Sequence, residues 1–105
     1  MKSFSRITLL YDFYGKLLTE KQQKYFEEYY FKDLSFSEIA KNENVSKNAV
    51  YDSIKKVLYE LESFEKKLKH INFFLKRMNI YKEITDKKTL KKLLASEVIN
   101  IWQKK

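Results

Sequence analysis

The chain has 105 residues, a net charge of +8, one glycine, no proline and no cysteine. This length suits one domain. The missing cysteines exclude disulfide frameworks, cysteine-held zinc and thiol nucleophiles, as is typical of proteins in a reducing cytosol. Because 44% of the residues are apolar and turn-forming glycine and proline are almost absent, the composition predicts an all-α fold. No segment approaches the roughly 20 apolar residues of a membrane span, so we expect a cytoplasmic protein without stable membrane insertion.

The positive charge is concentrated in the last third of the chain. Residues 1–68 carry 12 Lys or Arg against 11 Asp or Glu, whereas residues 69–105 carry 10 against 3. An excess of lysines in one segment suggests a polyanionic partner. We expect two lobes that share one long helix, a first lobe over residues 1–68 and a basic C-terminal lobe over residues 69–105.

Apolar residues spaced by three or four predict the first two helices. The first has its apolar face at Phe4, Ile7, Leu10, Phe13 and Tyr14. Gly15 is expected to end it, and Thr19 to cap the second helix by accepting the N–H of Gln22. Asp33 is expected to end that second helix, whose buried side is predicted at Phe26, Tyr29, Tyr30 and Leu34.

The third and fourth helices begin at capping residues. Ser35 with Glu38 matches the capping box, in which a hydroxyl and a carboxylate each satisfy one backbone N–H. The third helix should bury Phe36, Ile39 and Ala40 and end near residues 42–44, where asparagine tolerates a left-handed backbone. Ser46 should cap a long fourth helix reaching toward Lys69, with its apolar positions at Val50, Ile54, Val57, Leu58, Leu61, Phe64 and Leu68.

Two basic amphipathic helices are predicted after residue 70. The first is marked by Ile71, Phe74, Leu75, Met78 and Tyr81. The second opens at Thr85 or Asp86 and has inward positions at Leu90, Leu93, Leu94, Val98, Ile101 and Trp102. Such helices suit a membrane surface, an RNA-phosphate surface, or packing with the lysines in solvent. We favour packing, either on the fourth helix or on a second copy in a homodimer.

Residues 35–56 match the requirements of a helix-turn-helix. The motif needs a small residue where two helices cross, a turn residue that accepts positive φ, and a hydrophobic residue after it. Ala40, Asn44 and Val45 fill these places in order. Val50 and Ile54 then anchor the fourth helix, which leaves its other face to meet a major groove.

The exposed side of that helix carries side chains of the types that contact bases and phosphates. The candidate nucleic-acid-binding residues are Lys47, Asn48, Tyr51, Lys55 and Lys56. An asparagine side chain can form two hydrogen bonds with one adenine, lysines can contact guanine or phosphate, and a tyrosine hydroxyl can donate a hydrogen bond to phosphate. Asp52 opposes this interpretation because phosphates repel a carboxylate. A capped surface helix and a helix facing a protein therefore remain alternatives.

The motifs LYDFYG, LTEKQ, YY, DLS, EIA, VS and AVYD stand in order over residues 10–52. With them, residues 8–68 resemble the YlxM family of small bacterial helix-turn-helix proteins, whose genes neighbour those of the signal recognition particle, and more distantly region 4 of sigma factors. Beyond residue 70 the likeness lies in helical pattern and length. The resemblance implies a sigma-region-4-like helix-turn-helix lobe joined by a long helix to a C-terminal helical lobe.

The resemblance also implies a DNA-binding regulatory protein, acting in the signal recognition particle pathway, without enzyme activity. The alternative is an adaptor that binds the particle's GTPase or its RNA through the basic C-terminal segment. The chain departs from the family pattern at Glu43, where a hydrophobic residue is usual. We therefore expect a looser turn between the two helices.

Other side chains carry weaker signals. Glu27 and Glu28 are adjacent on a helix, diverge by about 100°, and are interpreted as solvated surface. His70 is interpreted as a solvated helix-end residue, and no nucleotide-binding glycine loop occurs. Neither a metal nor a cofactor is therefore expected. An aromatic group could stack on single-stranded RNA, namely Tyr25, Phe26, Tyr29, Tyr30 and Phe31. Core packing is favoured because Phe26, Tyr29 and Tyr30 share one helical face, whereas exposure of both Tyr25 and Phe31 would favour RNA.

Overall fold

The computed structural model describes residues 4–97 and, within them, the side chains from Arg6 onward. This part of the chain folds into six α-helices and one 3-10 turn, which confirms the all-α prediction. The helices are α1 (Phe4–Tyr14), α2 (Glu20–Tyr30), α3 (Phe36–Glu43), α4 (Lys47–Leu68), α5 (His70–Tyr81) and α6 (Lys87–Ala95), with the 3-10 turn over Gly15–Leu17.

The predicted helix starts are confirmed by their caps. The hydroxyls of Thr19, Ser35 and Ser46 each accept the backbone N–H three residues later, at 3.0–3.1 Å. Gln22 completes a capping box with Thr19 at the start of α2. Glu38 completes the predicted capping box with Ser35 at the start of α3. Asp86 caps α6. Each cap satisfies an N–H that has no partner within its own helix, which explains why these helices begin where they do.

The long helix α4 is the centre of the core. Its buried residues Val50, Ile54, Val57 and Leu61 are fully shielded from solvent. Around them pack residues of α1, α2 and α3, together with Leu18 after the 3-10 turn, namely Leu10, Tyr14, Leu18, Tyr25, Phe26, Tyr30, Ile39 and Ala40. Most of the predicted inward positions are therefore confirmed, and α1, α2 and α3 each pack against α4.

Gly15 lies where the backbone passes close to an aromatic ring. A Cβ atom at this position would lie 2.9 Å from Cε1 of Tyr11, a separation shorter than van der Waals contact. The side chain of Gln23 also donates to the Gly15 carbonyl at 2.9 Å. The predicted end of α1 at Gly15 is confirmed, and a larger residue there would require the Tyr11 ring to shift.

The C-terminal helices pack on the core only in part. Ile71 and Phe74 in the first half of α5 are buried against α1, so this half belongs to the same core as residues 4–68. Leu68 and Leu75 are about half exposed, although the apolar pattern included both. In α6 the three leucines are half-buried. The predicted inward positions Val98, Ile101 and Trp102, and the side chain of Phe4, lie outside the described residues.

Candidate nucleic-acid interface

The turn between α3 and α4 is closed by backbone hydrogen bonds. Asn44 has left-handed backbone angles, with φ 58° and ψ 46°. The N–H of Val45 donates to the Ala40 carbonyl at 3.0 Å, and the N–H of Asn44 reaches the Lys41 carbonyl at 3.4 Å. This pair of bonds is the Schellman arrangement, which satisfies carbonyls left open at a helix end. The expectation of a looser turn was wrong.

Glu43 is held from the side by α2 instead of packing into the core. Its carboxylate lies 3.1 Å from Nζ of Lys24, and this lysine lowers the pKa of Glu43. Glu28 beside it is buried, with only 4% of its surface exposed. Burial first, and then the neighbouring Glu43 carboxylate, raise the pKa of Glu28. A charged contact thus replaces the hydrophobic contact that is usual at this place in the turn.

The interpretation of Glu27 and Glu28 as solvated surface was wrong. Glu27 is half-buried and accepts a hydrogen bond from the hydroxyl of Tyr11, while Glu28 is buried. In the helical pattern, Glu28 lies three residues after Tyr25 and therefore shares its face. This position relative to Tyr25 was the available signal, but Tyr25 itself was not assigned to the core.

Asn44 provides a direct test of the turn. Replacing Asn44 with alanine should lower the free energy of unfolding by about 1 kcal/mol, because alanine lacks asparagine's tolerance of left-handed angles. Asn44→Gly should be close to neutral. Urea unfolding measures both. Asn48→Ala is the matched control, since Asn48 is exposed in a right-handed helix; an equal loss there would contradict the assignment.

The helix-turn-helix places its predicted anchors and its predicted contact residues on opposite faces of α4. Val50 and Ile54 are fully buried against α3. The residues predicted to contact nucleic acid are all exposed, namely Lys47, Asn48, Tyr51, Lys55 and Lys56. Residues four apart lie above one another on a helix, so the set forms two adjacent rows, Lys47–Tyr51–Lys55 and Asn48–Asp52–Lys56. We call these two rows the α4 outer rows.

Sequence reasoning missed Glu65, which fixes how α5 leaves α4. Glu65 is only 8% exposed. One carboxylate oxygen accepts from the Tyr14 hydroxyl at 2.5 Å and from the N–H of Ile71 at 3.0 Å. The other oxygen accepts the N–H of Asn72 at 3.1 Å. Glu65 thereby caps the N-terminus of α5 and ties it to α1. Its burial could have been inferred from the helical period, since Glu65 lies four residues after the buried Leu61 and therefore shares its face.

The hydrogen bonds to Glu65 outweigh the cost of burying it. Burial alone would raise the pKa of Glu65, but the Tyr14 hydroxyl and the N–H groups of Ile71 and Asn72 bring it below its ordinary value of 4.5. Burial, together with the same contact, raises the pKa of Tyr14 to about 12. The N–H of His70 donates to the Tyr14 oxygen at 3.1 Å. This network of α1, α4 and α5 forms one wall of an open groove.

The groove lies between α1, the second half of α4 and the start of α5. Its volume is about 910 Å³. We call it the basic groove, and it is lined by Arg6, Tyr59, Glu62, Ser63, Glu65, Lys66, Lys67, Lys69 and Asn72. Both carboxylates are already engaged, Glu62 by Arg6 at 2.8 Å and Glu65 as described. Within residues 4–97 the three lysines form no salt bridge, so the groove is net positive.

The remaining sequence signals give no further site among the described residues. His70 is exposed at the start of α5, as predicted. Tyr25 is buried while Phe31 is 51% exposed, so the condition set for an RNA-stacking platform, exposure of both rings, is not met. Over residues 4–97 no group of three or more metal-binding side chains occurs. Over the same range, no helix is both long and apolar enough to cross a bilayer.

Proteins of similar sequence match this chain along nearly its whole length. A UPF0122 protein of Malacoplasma penetrans is 55% identical over 101 residues, covering 96% of this chain and 94% of the relative. A UPF0122 protein of Fusobacterium nucleatum is 46% identical over 88 residues, covering 84% and 82%. One from Halalkalibacterium halodurans is 47% identical over 94 residues, covering 86% of each chain.

The family model of UPF0122, described as "Putative helix-turn-helix protein, YlxM / p13 like", matches residues 1–101. This range includes the capped α3, the Schellman turn, the α4 outer rows and the described C-terminal helices. The resemblance to the YlxM family, carried by the motifs of residues 10–52, is therefore confirmed. The chain belongs to the UPF0122 family of YlxM/p13-like helix-turn-helix proteins.

Proposed function

We propose that the chain is a cytoplasmic, non-enzymatic regulatory protein that binds duplex DNA with the α4 outer rows in the major groove. The observation that carries the proposal is the division of α4 into two faces. Val50 and Ile54 fix one face in the core, and the opposite face presents lysine, asparagine and tyrosine side chains. Rigid placement of such groups is what base and phosphate contacts require.

The chemistry of each row supports a distinct part of that contact. Lys47 and Lys55 are suited to phosphate or to guanine, and Asn48 is suited to paired hydrogen bonds with adenine. The partial positive charge at the N-terminus of α4 favours phosphate nearby. Asp52 reduces the net charge of residues 46–56 to +2, so we expect moderate non-specific affinity.

The basic groove supports a second candidate function. In this alternative the chain is an adaptor of the signal recognition particle that holds its RNA or its GTPase at the basic groove, where Lys69 and Asn72 of the basic C-terminal lobe meet the end of α4. Membership of the YlxM-like family is consistent with action in that pathway under either candidate. On α4 the groove residues begin at Tyr59, about one turn after Lys56, and extend to Lys67, about three turns after it, because a helix has about 3.6 residues per turn. The two surfaces are therefore separate and can be tested separately.

One titration distinguishes the two candidates. The purified full chain is titrated with a short random-sequence DNA duplex and with signal recognition particle RNA, over salt concentrations from about 50 to 200 mM. Tighter binding to the duplex is expected, with affinity falling steeply as salt rises. Preference for the RNA at every salt concentration would contradict the first candidate and assign function to the basic groove.

Variants of the groove lysines sharpen this test. If the groove holds RNA, Lys66→Ala with Lys67→Ala should weaken RNA binding and reduce its salt slope by about 2, one for each phosphate that is no longer neutralised. Duplex binding should be almost unchanged. The measurement is fluorescence anisotropy with both probes. An equal loss on both probes would show that the two lysines act only through overall charge.

A further inference from the structure

Phe36 lies between the core and the exposed surface of the helix-turn-helix. It is the first residue of α3 and is half-buried. Its ring stacks on Tyr29, with centroids 4.6 Å apart and planes 13° apart. On its other side it meets Tyr51 of α4 in an edge-to-face contact, with centroids 5.6 Å apart and planes 88° apart. Both arrangements are favourable aromatic geometries.

Further rings continue this contact into the core. Tyr29 meets Tyr30 at 5.0 Å in an edge contact. Tyr30 is buried and lies 4.7 Å from the fully buried ring of Phe26. A chain of five rings therefore joins the centre of the molecule to Tyr51, which lies in the middle of an α4 outer row.

Tyr51 makes more contacts than Tyr59, a second tyrosine of the same helix. Tyr51 is 37% exposed, whereas Tyr59, two turns later, is 76% exposed. Tyr59 has no ring contact within residues 4–97. Besides Phe36, Tyr51 has Nζ of Lys55 at 5.4 Å from its ring centre. Tyr51 is thus held by α3 on one side and by Lys55 on the other, and Tyr59 has neither contact.

We propose that Phe36, supported by Tyr29, is a positioning residue that holds Tyr51 for contact with the DNA backbone. The inference rests on the proposed duplex binding, because it assigns Tyr51 a phosphate of the duplex as partner. A tyrosine with a fixed ring presents its hydroxyl without losing rotamer freedom on binding. Phe36 itself does not touch the duplex in this arrangement.

The binding test uses a pair of substitutions and their combination. Phe36→Leu removes the ring but keeps an apolar side chain, and should weaken binding to a random-sequence duplex by about threefold to tenfold, as expected for one aromatic contact. Phe36→Tyr keeps the ring and should bind like the wild type. In a Tyr51→Ala background, Phe36→Leu should add little further loss. An equal loss in both backgrounds would overturn the inference.

A second measurement does not depend on DNA. In the free protein, the NMR signals of the Tyr51 ring should shift in Phe36→Leu, because the neighbouring aromatic ring is removed, while those of Tyr59 stay in place. Unchanged Tyr51 signals would overturn the positioning role. If the wild type binds no duplex, the proposed function fails, and these signals alone decide whether Phe36 holds Tyr51. A thermal melt confirms that each variant is folded.

Discussion

Replacing Glu65 with alanine is expected to lower the free energy of unfolding by about 3 kcal/mol, the largest effect of any single substitution proposed for this chain. The carboxylate accepts three hydrogen bonds in a site that is 8% exposed. Alanine would leave the Tyr14 hydroxyl and the N–H groups of Ile71 and Asn72 without an acceptor. Urea unfolding followed by circular dichroism measures the loss.

Glu62→Ala is the matched control. Glu62 lies one turn earlier on α4 and pairs with Arg6 at 2.8 Å, but both side chains are about half exposed. An exposed ion pair contributes about 0–1 kcal/mol. A small loss for Glu62→Ala beside a large loss for Glu65→Ala is therefore expected. Equal losses would mean that the network around Tyr14 does not hold α5.

The same carboxylate predicts a dependence on pH. The pKa of Glu65 is lower in the folded protein than its ordinary value of 4.5. Its contribution is therefore complete above about pH 4.5 and is lost as pH falls through the lower, folded value. The stability difference between the wild type and Glu65→Gln should be largest near neutral pH and shrink below pH 4.5. A difference that grows in acid would contradict this sign.

The second large effect is expected at the α4 outer rows. Lys47→Ala combined with Lys55→Ala should weaken duplex binding by roughly tenfold or more at low salt. The slope of log affinity against log salt should fall by about 2, since each lysine that neutralises a phosphate contributes about one to it. Both side chains are exposed, so the fold should be unaffected. Fluorescence anisotropy across the salt series gives both quantities.

Lys16→Ala with Lys82→Ala controls for charge alone. Both of these lysines are exposed and lie outside α3 and α4, and the double variant has the same net charge as the test variant. A smaller change in slope is expected for the control. If the two double variants behave alike, the duplex responds to overall charge and the outer rows have no special role.

Local signals allowed most of the fold to be predicted from the sequence. A cap at Ser46 or a turn at Asn44 depends on a few neighbouring residues, and the apolar period of α4 depends on one helix only. Glu65 and Glu28 could not be assigned in this way. The burial of Glu65 is favourable only because partners from other helices satisfy its carboxylate, whereas Glu28 is buried close to Glu43 of α3, where burial and the Glu43 carboxylate raise its pKa. Those partners, such as Tyr14 for Glu65, become neighbours only after the chain folds.

The candidate site could also be predicted only where it depends on a single helix. The exposure of Lys47, Asn48 and Tyr51 follows from the helical period and could be predicted. The contact between Phe36 and Tyr51 could not, because it depends on the crossing of α3 and α4. The turn was predicted to be loose because Glu43 lacks a hydrophobic side chain. The ion pair with Lys24 on α2, remote in sequence, is what holds that residue in place.

The unbroken length of α4 has a mechanical consequence. One helix of 22 residues carries the outer rows at its first turns and the Glu65 network at its last. At about 1.5 Å per residue it spans roughly 33 Å, and it has no proline or glycine at which it would bend. Because its buried residues are fixed in the core along most of this length, α4 holds the outer rows and the Glu65 network at a constant separation and a constant rotation about the helix axis.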